Sequence, residues 1–224
     1  MIRRATVASA ALALACLELG CSLGEGQGSV KSEDLFAPDC WLHNSYDLQP
    51  DFFAAVPYRD TLQIRVQRGN DLQEVSDGLS LLIDDVKKIR EEKLGKPLCV
   101  SIPVGVIPPG ALPTEPDPVV DAACGGEYLV HAALYLHASC HNQNTVLYAL
   151  SGFVQFDSLF SGDPNEKDAD EKYTNASFDE LTIGDPHDAP SGASADQIPT
   201  DKQSKLKGTL SFYFERGQPG QPFP

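Results

Sequence analysis

Basic residues are scarce: 17 Lys and Arg stand against 32 Asp and Glu in 224 residues. That balance excludes nucleic acid as a partner, because phosphate binding needs clustered cations. It also excludes electrostatic docking on anionic lipid. No CxxC pair is present, which removes the usual zinc frameworks. Residues 34–224 contain no GxSxG elbow, so they lack the nucleophile signature of many exported hydrolases. Pro, Gly and charges break every apolar run well short of the ~20 residues that a membrane-crossing helix needs. No repeat of fixed period is found.

What is present begins with an address. Arg3 and Arg4 precede an apolar stretch, residues 5–17, too short to span a bilayer, which reads as a secretory signal. Leu17, Glu18, Leu19, Gly20 and Cys21 then resemble a bacterial lipobox, although Glu18 stands where leucine is usual. The resemblance implies cleavage after Gly20 and a diacylglyceryl thioether on Cys21. A second, also imperfect, frame ends at Cys16 (Ala13, Leu14, Ala15, Cys16). Cys21 is preferred, because the residues after it are small and polar, as in a flexible tether. Ordinary signal cleavage without a lipid is the alternative. The expected organisation is a signal peptide over residues 1–20, a lipidated tether over 21–33 and one domain over 34–224. Loss of residues 1–20 removes Arg3, Arg4 and Glu18, leaving 15 basic and 31 acidic side chains and a formal net charge of −16. Such a surface keeps an exported domain soluble.

With Cys16 in the signal and Cys21 lipidated, Cys40, Cys99, Cys124 and Cys140 remain, and an exported domain is expected to join them as two disulfides. Three pairings are open. Cys40–Cys140 with Cys99–Cys124 is favoured, the second closing a Pro-rich excursion.

Alternating apolar and polar residues recur, the pattern of half-buried strands. Residues 61–68 place Leu62, Ile64 and Val66 on one face, residues 77–83 place Leu79, Leu81 and Ile83, and residues 205–215 place Leu206, Gly208, Leu210, Phe212 and Phe214. Further strands are expected over 127–138, 145–157 with a bend at Gly152, and 173–183 with a break near Phe178. One more is expected over 100–106, confined to an edge by Pro103. Residues 84–94 read as the one helix, acidic at the start and stopped by Gly95 and Pro97. Residues 107–121 and 185–201 read as loops and 216–224 as an irregular tail. The fold class is all-β, an antiparallel sandwich of about seven to nine strands.

Candidate chemistry is sparse. His131, His137 and His141 are near in sequence, but on one strand His131 and His137 stand about 20 Å apart and cannot share an ion. They are expected on the wetter face, as surface histidines. The acidic residues 163–171 offer oxygens to calcium, yet Lys167 and Asp168 break the EF-hand spacing, so a solvated connection is expected. Asn175 opens an idle glycosylation sequon. Trp41, Tyr46, Phe52, Phe53 and Tyr58 could form a carbohydrate platform, but are expected to seal the end of the core. No pair of carboxylates is singled out for glycoside cleavage. No metal, cofactor or catalytic set is expected.

The strings CSLGEGQGSV (21–30), LFAPDCW (35–41), LQPDFF (48–53) and FYFERGQPGQPFP (212–224) resemble uncharacterised surface lipoproteins of gliding, predatory soil bacteria, and the likeness would span most of the mature chain. It implies an outer-membrane or surface lipoprotein, in keeping with Ser22 after the anchor, and brings no activity. The expected function is a non-enzymatic envelope lipoprotein whose partner is the membrane and an envelope protein or glycan. A glycan- or calcium-binding module is the second reading, and a carboxylate-dependent hydrolase the third.

Overall fold

The computed structural model describes residues 26–69, 76–103, 127–140 and 144–215. The leader, Cys16, Cys21, Cys124, His141, residues 107–121 and the 216–224 tail lie outside the described residues.

Ten strands carry the fold: β1 Gly26–Ala37, β2 Leu42–Leu48, β3 Phe52–Tyr58, β4 Thr61–Gln67, β5 Gly78–Ile83, β6 Pro97–Cys99, β7 Val130–Leu136, β8 Thr145–Ser158, β9 Tyr173–Gly184 and β10 Ser204–Tyr213. They form one antiparallel sheet in the order β2-β1-β10-β9-β8-β7-β5-β4-β3, with β6 added on β8. The sheet curls upon itself, so it encloses its core as a sandwich does. Phe53 on β3, at one end of that order, stacks on Phe212 of β10 near the other, with ring centroids 5.7 Å apart.

The alternation read from the sequence sets the faces. Leu62, Ile64 and Val66 are fully buried, as are Leu81, Ile83, Leu206 and Leu210, and Leu79 and Phe212 are almost so. Their register aligns them into one layer: Ile64 faces Leu81, and Leu81 faces Ala132. Gly208 breaks the row because a Cβ there would lie 2.4 Å from the Ser29 carbonyl oxygen and 2.5 Å from Phe178. Gly152, at φ +119°, bends β8 where its register against β9 shifts. The expected bend is there, and only glycine takes that backbone without strain.

Several expectations need correction. Residues 26–33, expected as a flexible tether, are the first part of β1, hydrogen-bonded to β10 from Gly26 and to β2 from Val30. Their glycines and charges hide a strand that neighbours on both sides stabilise. The 100–106 segment does not form an edge strand over its described part. Pairing with β8 ends at Cys99, after which Val100 makes one parallel bridge to Val130. The helix is shorter and looser than residues 84–94. It consists of Val86–Lys88, capped by the Asp85 carboxylate accepting from the Lys88 N–H at 2.9 Å, and widens to a π-helical segment over Ile89–Lys93. Residues 185–201 are irregular as expected, yet Ala195 and Ile198 cover Leu150 on the outer face of β8.

Candidate functional site

Among the described residues, three of the places that bring chemistry-bearing side chains together are built by the end or the irregularity of a strand.

The first centres on His131. Expected on the wet face of β7, it is buried at 8% exposure. The segment after β6 folds over it, and the Ser101 N–H donates to the Val130 carbonyl at 3.3 Å. His131 Nδ1 lies 2.9 Å from the Ser101 carbonyl oxygen and 3.2 Å from Ser101 Oγ, while Nε2 lies 3.1 Å from Asp84 Oδ2. Serine, histidine and aspartate thus form a chain that no sequence motif announced, because its members come from three separate segments. The geometry is not that of a hydrolytic relay. To accept a proton from Ser101 Oγ, Nδ1 would have to aim its lone pair close to an oxygen that can only accept. The ring meets the Ser101 carbonyl oxygen through Nδ1 and the Asp84 carboxylate through Nε2, so it acts as a two-armed clasp. It holds the end of β5 and the chain after β6 to β7.

The second is a groove of about 370 Å³ across β1, β10 and β9. Irregularities in adjacent strands coincide there. The β1–β2 register shifts between Ser32 and Leu35, which turns Glu33 and Asp34 outward. The β10–β9 register shifts between Leu206 and Gly208, which sets Asp179 and Glu180 against the single residue Lys207, with Glu180 in the left-handed region at φ +56°. Bulges re-aim side chains in this way, and left-handed backbone at a residue other than glycine is a stored strain. Lys31, Lys205 and Lys207 project among the carboxylates. Lys207 Nζ donates to Glu33 Oε1 at 2.8 Å, and that bond, then the lysine charge, holds the Glu33 carboxyl below the usual glutamate range. The same bond, with the charges of Glu33 and Asp179, raises Lys207. Glu33 is 87% exposed, so the pair is solvated and worth little to stability.

The third is the acidic connection between β8 and β9. Ser161 Oγ donates to Glu166 at 2.6 Å, and Arg90 donates to Glu171 at 3.2 Å. Burial, then hydrogen bonding to Glu171, raises Glu166; bonding to Glu166 and Arg90 lowers Glu171. Arg90 brings its positive charge into this acidic group through Glu171. Among the described residues no group of three or more His, Cys, Asp or Glu side chains is arranged to hold a metal ion.

The remaining expected residues are dispersed. Cys40 and Cys140 are joined as favoured, and Cys99 is also disulfide-bonded, with its expected partner Cys124 outside the described residues. His137 is half-buried and meets Asn144. Phe52 and Phe53 are core, and Tyr46 is half-buried against Asp77, as a core seal requires. Trp41, however, is 90% exposed, and Tyr58 is exposed beside Arg59. Sealing therefore describes only part of that aromatic set. Asn175 lies within β9, opposite Ser211. No family model, curated protein or solved structure matches this chain.

Proposed function

We propose that the chain is an exported envelope lipoprotein, anchored through Cys21 in the outer membrane, whose β-domain works by presenting surfaces to an envelope protein or glycan rather than by catalysis. The observation that carries the anchoring is the position of β1. It starts at Gly26, five residues beyond Cys21, and lies between β2 and β10. An acyl chain at Cys21 would therefore hold the sheet through an inner strand, not through a frayed end. The resemblance of the leader and of the 21–30 string to envelope lipoproteins points the same way.

The groove across β1, β10 and β9 is the surface that suits a polar partner. Its cations and carboxylates alternate, so it matches a ligand bearing both signs or many hydroxyl groups. Hydrolysis fits it less well. A glycoside-cleaving pair needs one carboxyl held protonated beside an ionised one, and the lowering of Glu33 supplies the ionised one alone.

The test is intact mass and membrane fractionation of the mature protein. A diacylated Cys21 at the N-terminus, in a membrane fraction, is the expected result. A soluble product cleaved elsewhere and free of lipid would end the reading.

A further inference from the structure

We infer that the strand ends carrying Tyr213 and Tyr173 form the face that rests on the membrane, against a neutral or zwitterionic lipid surface. This rests on the lipoprotein reading above and adds the orientation of the domain.

Reach comes first. A lipid-linked Cys21 sits at the level of the headgroups, and five residue steps to Gly26 span at most about 18 Å even when fully extended. The Gly26 end of β1 is therefore confined near the bilayer. Gly26 pairs with Phe212, and the next residue of β10 is Tyr213. Tyr213 pairs with Tyr173, the first residue of β9, and their rings lie 4.8 Å apart. Their neighbours Phe212 and Thr174 are buried, so the two tyrosines share the outer face of the sheet, with Tyr213 43% exposed.

Chemistry comes second. Tyrosine suits the headgroup layer because its ring is apolar and its hydroxyl can bond to water or phosphate oxygens. The other exposed aromatic next to β1, Trp41, follows the opposite end of the strand, some eleven steps or roughly 36 Å from Gly26. The tyrosine pair lies where the tether confines the sheet.

Charge then selects the lipid. The connection that leads into Tyr173 carries Asp163, Glu166, Asp168, Asp170 and Glu171 against Lys167 and Lys172. Anionic headgroups would repel it.

The experiment uses the lipidated full chain on phosphatidylcholine vesicles with brominated acyl chains, which quench nearby tryptophan. Trp41 is the protein's single tryptophan and reports one end of β1. A Trp41→Phe, Tyr213→Trp variant reports the other. Residue 213 is expected to be quenched several-fold more than residue 41, and less so when phosphatidylglycerol is mixed in. Hydroxyl-radical footprinting of the unaltered protein gives a second measurement: oxidation of Tyr213 and Tyr173 should fall several-fold on vesicles relative to detergent micelles that lack a bilayer surface, while Trp41 does not change. Equal quenching at both positions, or unchanged oxidation of the tyrosines, in protein shown by mass to be acylated and by flotation to be vesicle-bound, overturns the orientation. Protein without an acyl chain, or that fails to float, overturns the lipoprotein reading first and the orientation with it.

Discussion

Tyr46 donates its phenolic hydrogen to Asp77 Oδ2 at 3.3 Å, which fastens β2 to the residue just before β5. Burial, then the charge of Asp77, pushes the Tyr46 hydroxyl far above the usual tyrosine range, which favours it as the donor to Asp77. Asp77 is itself buried and accepts from the backbone N–H of His137 at 2.8 Å, from that of Ser139 at 3.1 Å, and from the Ser139 hydroxyl. One carboxylate thus organises the turn that leads from β7 into Cys140.

Replacing Asp77 by Ala strips those donors of their acceptor in a buried place. The expected loss is about 3 kcal/mol, in the range for breaking a buried charged hydrogen-bond group. Asp77→Asn keeps an acceptor oxygen and should lose about half as much. Urea denaturation of the three proteins checks the order, and equal stability of all three would show that the network is idle.

The Cys40–Cys140 bond closes a loop with a sequence separation of 100. Chain entropy alone assigns such a cross-link about 4–5 kcal/mol, and measured effects more often lie at about 2–4 kcal/mol. The Cys40→Ala, Cys140→Ala double variant should therefore melt well below the parent. Peptide mapping under non-reducing conditions should also recover residue 40 linked to residue 140.

The groove carries a pH dependence of definite sign. Glu33 titrates lower in the folded chain than when unfolded, because Lys207 donates to it. Its contribution to stability is therefore present above the unfolded glutamate range and is lost as pH falls through the lower, folded midpoint. Carbon-13 NMR titration of the Glu33 carboxyl should show that depressed midpoint, and Lys207→Met should move it upward. A midpoint indifferent to Lys207 would show that the pair does not form in solution.

Ser101 offers a chemical test of the clasp. Because His131 Nδ1 also faces the Ser101 carbonyl, the hydroxyl is not activated, and a fluorophosphonate probe should leave Ser101 unlabelled. Labelling at Ser101 that disappears in His131→Gln would instead make the three residues a reactive relay. His131→Ala should cost about 2–3 kcal/mol, from the lost buried ring and the unpaired groups left around it.

How far each feature could be read depends on the range of the forces behind it. Strict alternation marks β4, β5 and β10, where one face is buried and the other wet, and hydrophobicity alone decides which residues turn inward. β1 and β2 escaped notice, because Gly26, Gly28, Lys31, Glu33 and the polar run from His43 to Asp47 mimic a loop. Their strand character comes from hydrogen bonds to chain that is distant in sequence. The favoured Cys40–Cys140 pairing was one of three that spacing allowed, and the fold alone brings those two sulfurs together. His131 shows the limit most clearly. Its place on β7 and on the face opposite Val130, Ala132 and Leu134 was legible from the alternation, whereas Glu33 lay in a segment read as tether. Whether such a side chain meets water or a partner depends on what the chain lays over the strand: Ser101 and Asp84 cover His131, whereas a coincidence of bulges opens the surface around Glu33. Local sequence determines the direction in which a side chain points, through the period of the strand. Only the tertiary structure decides what it meets there, because the covering groups arrive from segments that one sequence gives no means of pairing.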